Sequence, residues 1–189
     1  MSISVGNGKM GKVPNISLTP VRSCKNCAAC AVDCYAMKSY RQYKGTRASW
    51  DSNYAMAKTT PAKFFQMIGD YLTKHTPRYF RYHVAGDILN QRYLNRMNKL
   101  AREHTGTTFL AFTKRYDLDY SNRPDNMSIV FSAWPNSPMP KTDLPVAYMQ
   151  DGTETRVPNN ALECPGDCEH CGMCFDLEKL NRSVVFHKH

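Results

Sequence analysis

The sequence predicts an α/β fold, a partial (βα) barrel or open mostly parallel sheet with two cysteine-rich metal-binding lobes. Three observations carry this. Short apolar runs at 79–84, 107–112, 127–132 and 146–149 alternate with helical patterns, and such alternation calls for crossovers and parallel pairing. A chain of 189 residues, 42% hydrophobic and 11% aromatic, is long enough for one core, so residues 1–189 are read as a single domain. All eight cysteines fall in two runs that flank the middle section. Cys24, Cys27, Cys30 and Cys34 are spaced C-x2-C-x2-C-x3-C, and Cys164, Cys168, Cys171 and Cys174 repeat that spacing in reverse. The lobes span about 20–38 and 162–176, and are expected to meet in space and tie the two ends together.

The elements follow in order. Residues 1–12 hold three glycines and suit a flexible arm or a short first strand. Residues 13–21 alternate apolar and polar positions as a strand does, until Pro20 breaks the pairing. A helical stretch over 36–58 carries Met37, Tyr40, Trp50 and Tyr54, with a division expected at Gly45-Thr46. Thr60-Pro61 offers a capping hydroxyl and a proline at the first helical position. Phe64, Phe65, Ile68 and Leu72 keep one face apolar until His75-Thr76-Pro77. The strand at 79–84 runs into Ala85-Gly86-Asp87. Leu89, Tyr93, Leu94, Met97 and Leu100 then form the stripe of a further helix, closed by Gly106. Asp87, Lys114 with Arg115, and Ser132 to Trp134 each come directly after a strand, so in a parallel sheet they share its carboxyl edge, where α/β folds bind ligands.

The formal charge is +9 with cysteines counted as neutral thiols. Two thiolate-bound four-iron clusters, each near −2, would lower this to roughly +5. The chain stays basic, which favours an anionic partner: a small-molecule or nucleotide ligand, or nucleic acid. The absence of a long apolar run argues against a membrane partner, and without a signal peptide the expected location is the cytoplasm.

In a reducing compartment, thiols two or three residues apart are metal ligands before they are disulfides. The first run has the ferredoxin spacing, and two-residue spacers wrap a loop around one face of a four-iron cube. One or two [4Fe-4S] clusters account for all eight thiols. Zinc is the alternative, with Cys24 and Cys27 joined to Cys171 and Cys174 as two knuckles, leaving Cys30, Cys34, Cys164 and Cys168 for a second ion. Cys164, Cys168 and Cys171 also match the C-x3-C-x2-C spacing that leaves one iron open for S-adenosylmethionine.

The blocks Cys34-Tyr35-Ala36-Met37-Lys38, Arg47-Ala48-Ser49-Trp50-Asp51, Arg81-Tyr82-His83-Val84-Ala85-Gly86-Asp87, Phe112-Thr113-Lys114-Arg115 and Cys164-Pro165-Gly166-Asp167-Cys168 together resemble the phage gene-product-88 family. That resemblance implies no particular reaction. The Cys-Tyr-Ala ending and the strand into Gly86-Asp87 are similar to phage proteins related to radical S-adenosylmethionine barrels. By that analogy Asp87 holds the amine of the cofactor. The sequence departs from such barrels in offering three or four middle strands rather than six, and no complete three-cysteine motif opens it.

Other residues carry competing readings. Asp87 binds a substrate amine or caps the next helix, and Lys114 with Arg115 clamps an anion or forms a solvated turn. His83 reads as a hydrogen-bonded core histidine, His170 as a residue just outside a metal's ligands, and Trp134 as core packing or a base platform. Arg41, Tyr43, Lys44 and Arg47 mix charge and aromatics as nucleic-acid surfaces do. His187 and His189 fall in a tail expected to be loose. Three functions follow: a radical-type or redox enzyme, an electron carrier with saturated clusters, and a metal-stapled protein that binds nucleic acid or a host protein.

Overall fold

The computed structural model describes every residue except Asn7, Ala29, Lys188 and His189. Seven parallel strands form one open sheet: β1 (Asn15–Ile16), β2 (Tyr79–Tyr82), β3 (Thr108–Thr113), β4 (Met127–Ala133), β5 (Val146–Gln150), β6 (Leu162–Glu163) and β7 (Val184–His187). Their spatial order is β1-β2-β3-β4-β5-β7-β6, so β1 and β6 are the edges and the sheet does not close into a barrel. The four expected middle strands are β2 to β5 and β1 falls within the expected 13–21 strand, so β6 and β7 are the two strands beyond expectation. β6 and β7 flank the second cysteine run, and β7 ends at His187, whose ring pairs with Glu163 at 2.7 Å. His187 is therefore part of the sheet rather than a loose tail, while His189 lies outside the described residues.

The expected strand over 13–21 shrinks to Asn15–Ile16, since Pro14 and Pro20 cannot donate to a ladder. Its backbone continues to serve β2 beyond the strand: the His83 amide donates to Ile16 O, and the Leu18 amide to Ala85 O, both at 2.8 Å. The strand expected over 79–84 ends at Tyr82 because His83 takes φ +60°. The arm before β1 is ordered, with Ser4 and Asn15 exchanging backbone hydrogen bonds as an antiparallel bridge.

Five helices complete the described chain: α1 (Tyr35–Gln42), α2 (Lys44–Thr59), α3 (Pro61–His75), α4 (Gln91–Glu103) and the four-residue α5 (Cys168–Cys171). The break between α1 and α2 falls at the extended Tyr43, two residues before the expected glycine. Pro61 opens α3, and Thr76 closes it with φ +40° and its amide on Leu72 O. The Asn90 side chain caps α4 by accepting from the Tyr93 amide at 2.9 Å. The period-2 pattern of the strands divides the burial. Phe80, Tyr82, Phe109, Ile129 and Phe131 pack one sheet face against Phe64, Ile68 and Leu72 of α3 and Leu94 and Met97 of α4. On the other face Leu110, Val130, Ala147 and Val184 meet Met10, Val13, Phe175 and Leu177, with Cys164, Cys168 and Cys174 alongside. No described helix is long and apolar enough to cross a membrane.

Candidate metal centres

The parallel sheet aligns the ends of β1, β2, β3 and β4, and the first cysteine run is the loop that leaves β1 there. Its turn is built locally: Ser23 Oγ donates to Thr19 O at 2.6 Å, the Cys24 amide to Val21 O at 3.1 Å, and the Ala31 amide to Cys27 O at 2.8 Å. Gly86 lets the neighbouring loop approach. It has φ +90°, and a Cβ there would sit 2.6 Å from Ser23 Oγ and 2.8 Å from Leu18 Cβ. Asn26 Nδ2 donates to Lys114 O at 2.6 Å, tying the run to the end of β3.

The thiols of this run feel one another. Burial pushes Cys27 up to about 12, with the neighbouring Cys30, Cys24 and Cys34 adding to the rise. Burial also pushes Cys24 up to about 11, and here the Asp87 carboxylate contributes. Cys27 Sγ and Cys30 Sγ are 3.9 Å apart. Asp87 is buried and accepts from Thr113 Oγ1 at 2.6 Å, the Ile88 amide at 2.7 Å and the Lys114 amide at 3.0 Å. Two of these bonds fall on Oδ1 and one on Oδ2, leaving one acceptor site on Oδ2. Burial raises its carboxyl above the usual range, against the opposing effect of Thr113 and the two amides.

The expected grouping on the carboxyl edge holds for Asp87, Lys114 and Arg115, but the two cations differ. Arg115 is buried. Its guanidinium donates to Asp117 through Nε and Nη2, and through Nη1 to Ile88 O and Leu89 O, so four of its five N–H groups are committed to protein acceptors. It holds the loop after Asp87 in place. Lys114 Nζ meets Ser132 Oγ at 3.2 Å and lies 5.2 Å over the Trp134 ring, with donors to spare.

The second run lies on the opposite sheet face from α3 and α4. The Cys164 amide donates to Val185 O at 3.0 Å, the Cys168 amide to Lys9 O at 2.7 Å, and Ser128 Oγ to Cys174 O at 3.1 Å. Gly172 makes its turn with φ +61°, 2.9 Å from the Tyr79 hydroxyl at the Cβ position. Cys164, Cys168, Cys171 and Cys174 all line one apolar cavity of about 30 Å³, closed by Phe112 and Phe186. Burial pushes Cys174 up to about 12 and raises Cys168, and in both cases the charge of Arg81 acts the other way.

Arg81 is a residue that sequence reasoning missed as part of a site. It lines this cavity, places its guanidinium 4.8 Å over Phe112, and donates from Nη1 to Met10 Sδ at 3.2 Å. Its Nε is buried with no hydrogen-bond partner. The same charge reaches Tyr35, the residue directly after Cys34, whose hydroxyl donates to Val84 O. The detectable signal was alternation within Tyr79–Tyr82, which turns Arg81 toward the face opposite Phe80 and Tyr82.

Among the described residues, no three Cys, His, Asp or Glu side chains converge closely enough for a single ion. Each run's thiols have their own members as electrostatic neighbours. A four-iron cube spreads its four thiolates around an inorganic core, wider than ligands of one ion. His170 does not face the sulfurs: its exposed ring pairs with Asp167 at 2.8 Å. His83 is buried as expected, yet neither ring nitrogen has a partner.

A family model described as gene product 88 matches residues 2–157. The chain belongs to the gene product 88 family. The matched span includes the first cysteine run, Asp87, Lys114 and Arg115, and ends before Cys164. A family relative, the gene 88 protein of Mycobacterium phage D29, is 25% identical over 217 aligned positions, covering 96% of this chain and 89% of the relative. No solved structure matches the chain.

Proposed function

We propose that this gene product 88 protein is an iron–sulfur protein, with one [4Fe-4S] cluster on Cys24, Cys27, Cys30 and Cys34 and a second on Cys164, Cys168, Cys171 and Cys174. The observation that carries this reading is Arg81. A cation with a buried, unpartnered Nε stands beside four thiols that share one cavity. Buried donors without acceptors are rare and call for an explanation. An anionic thiolate-bound cluster supplies the missing negative charge, and Arg81 in turn favours thiolate over thiol.

The chain's own residues define what the first site can do. Cys24 is near enough to Asp87 to feel its charge, and Oδ2 of Asp87 keeps one acceptor site. A cationic amine on a bound cofactor such as S-adenosylmethionine fits that site. Lys114 faces the same edge for an anionic group, and Tyr35 feels the charge of Arg81 as well as the thiols of the first run. This arrangement favours a redox enzyme of radical S-adenosylmethionine-like type over an electron carrier, because a spare acceptor on Asp87 and spare donors on Lys114 lie on the edge that carries the first cysteine run, and electron transfer alone requires neither. The partner expected is a small anionic or nucleotide-bearing ligand in the host cytoplasm.

Zinc is the second reading, favoured by one distance. The 3.9 Å between Cys27 Sγ and Cys30 Sγ is close to the edge of a tetrahedron with zinc–sulfur bonds of about 2.3 Å, about 3.8 Å. Metal and acid-labile sulfide analysis of protein purified without oxygen decides. Roughly eight irons and eight sulfides per chain support the proposal; two zincs without sulfide would falsify it.

A further inference from the structure

A wide concavity lies beside the first cysteine run, between α2 and α4. Its volume is about 890 Å³, and its wall includes Cys24. Six cations line it: Arg22, Lys25, Lys58, Arg92, Arg96 and Lys99. None of the described lining residues is Asp or Glu. Two of the six have carboxylate partners, Lys25 with Asp117 at 2.8 Å and Lys99 with Glu103 at 3.7 Å. Arg22, Arg92 and Arg96 have no ion pair among the described residues. A concentration of unbalanced cations in one cleft is a solvation arrangement that a polyanion improves.

The sequence arranges this along a helix. Arg92, Asn95, Arg96 and Lys99 recur at i, i+3, i+4 and i+7, so they share one exposed face of α4, while Leu94, Met97 and Leu100 bury the other. At 1.5 Å per residue, Arg92 and Lys99 stand about 10 Å apart along the axis. That length exceeds the reach of one phosphate and suits a row of them. Opposite, Tyr54 and Lys58 of α2 line the cleft one turn apart, and Lys58 Nζ sits 5.5 Å over the Tyr54 ring. Arg47 lies on the same stripe of α2 at i−7 from Tyr54 and is exposed, so the basic track continues past the cleft. The capped N-terminus of α4 opens into the same space, adding its positive end. Cations along a groove with an aromatic ring in its wall form the surface that binds single strands.

We infer that the α2–α4 cleft binds a short single-stranded segment of nucleic acid, with phosphates on Arg92, Arg96, Arg22 and Lys58, and that it presents this strand to the edge carrying Cys24. The reading of Cys24 as a cluster ligand matters only for what happens to the strand; the binding itself rests on the cations. A single nucleotide leaves cations of the cleft unmatched, whereas a strand can follow the row from Arg92 to Lys99.

The test is fluorescence anisotropy with a labelled eight-nucleotide oligothymidylate, titrated with full-length protein between 50 and 300 mM salt. Four phosphate contacts give a slope of log K on log salt of about −3 for a single strand. Arg92→Ala with Arg96→Ala should weaken binding about tenfold and make the slope shallower by about 1.4. Both residues are on the solvent face of α4, and a thermal melt verifies that the fold persists. Lys141→Ala, an exposed lysine outside the cleft, should leave binding unchanged. The inference is overturned if the double variant binds like the parent. It is overturned equally if a nucleoside triphosphate competes at equal concentration, or if an eight-base-pair duplex binds more tightly than the strand. Repeating the titration on metal-free protein separates the two claims. Protein that emerges from oxygen-free purification with no iron or sulfide yet binds the strand sinks only the cluster, whereas iron-loaded protein without salt-dependent binding sinks only the cleft.

Discussion

Arg81 and Phe112 project from neighbouring strands to the same sheet face, the guanidinium 4.8 Å over the ring. Together they form part of the wall against which the second cysteine group packs. The ring holds the guanidinium against the cavity but offers its Nε no acceptor. The electrostatics of that pocket are therefore incomplete without an anion.

A substitution with opposite effects in two states follows. Arg81→Met keeps an unbranched apolar stem as far as the Nε position and removes the charge and the unpartnered N–H. In metal-free protein the change is expected to be neutral or stabilising, because a buried unsatisfied donor is gone. In loaded protein it should destabilise by about 1–3 kcal/mol and lower the reduction potential, since a neighbouring cation favours the added electron. Thermal melts of both forms and a dye-mediated redox titration check this. A loss of the same size with and without iron rejects the assigned role.

Gly86→Ala tests how the first cysteine loop is seated. The new methyl group would meet Ser23 Oγ at 2.6 Å and Leu18 Cβ at 2.8 Å, at φ +90°. Neither contact is the far end of a flexible side chain, so the loop itself must move. A cost of about 1–3 kcal/mol is expected from the backbone conformation alone, which at this chain length lowers the melting temperature by about 2–12 °C. Iron at the first group should fall as well, while Gly45→Ala, in α2 with open space around it, should leave the iron unchanged and should not lower the melting temperature, since alanine favours a helix.

Much of the scaffold was legible because local signals agreed with the tertiary outcome. α3 is the clearest case: Thr60-Pro61 starts it, Phe64, Phe65, Ile68 and Leu72 all reach the core, and Thr76 before Pro77 ends it. The grouping of Asp87, Lys114 and Arg115 followed from strand order alone. The rest depended on contacts distant in sequence. β6 has only two residues, and β7 follows a cysteine loop that hides its periodicity. That Arg115 turns inward to Ile88 O and Leu89 O, while Lys114 stays at the edge, is decided by a loop 26 or 27 residues earlier. The α2–α4 cleft draws its cations from three separate segments, so no stretch of sequence shows it as a block.

Asp87→Asn separates the carboxylate's structural and electrostatic effects. The amide keeps one acceptor oxygen for three donors, and its NH2 would face an N–H. A loss of about 1–3 kcal/mol is expected, read from denaturant unfolding. Removing the negative charge also removes one cause of the high Cys24 thiol value. In metal-free protein Cys24 should then react faster with iodoacetamide at a given pH near 9, as mapped by peptide mass spectrometry. An unchanged rate at Cys24 would dissociate the two residues.

His83 gives the acid response of the fold a sign. It is buried, with Tyr82 and Tyr93 rings at 5.7 and 5.6 Å, and neither ring nitrogen has a partner. Burial lowers its value from 6.5 to about 3, so the folded chain keeps the imidazole neutral where the unfolded chain protonates it. Between those values the unfolded state binds more protons, and stability must fall as pH falls. The contribution is complete above about 6.5 and declines by up to about 1.4 kcal/mol per pH unit below it. Asp117 and Glu154, held low by Arg115 and Arg156, lose their contribution only at the acid end, below the usual carboxylate range. His83 therefore acts in the window just under pH 6.5 where Asp117 and Glu154 do not, while Asp87, raised by burial, and His170, raised by Asp167, act with the opposite sign and are common to the two proteins compared next. Because φ is +60° at this position, asparagine is the suitable neutral replacement. His83→Asn should flatten urea-unfolding stability between pH 6.5 and 5 relative to the parent, whatever its absolute cost. Parallel pH profiles for the two proteins would mean that the imidazole finds a partner in solution that the buried site does not supply.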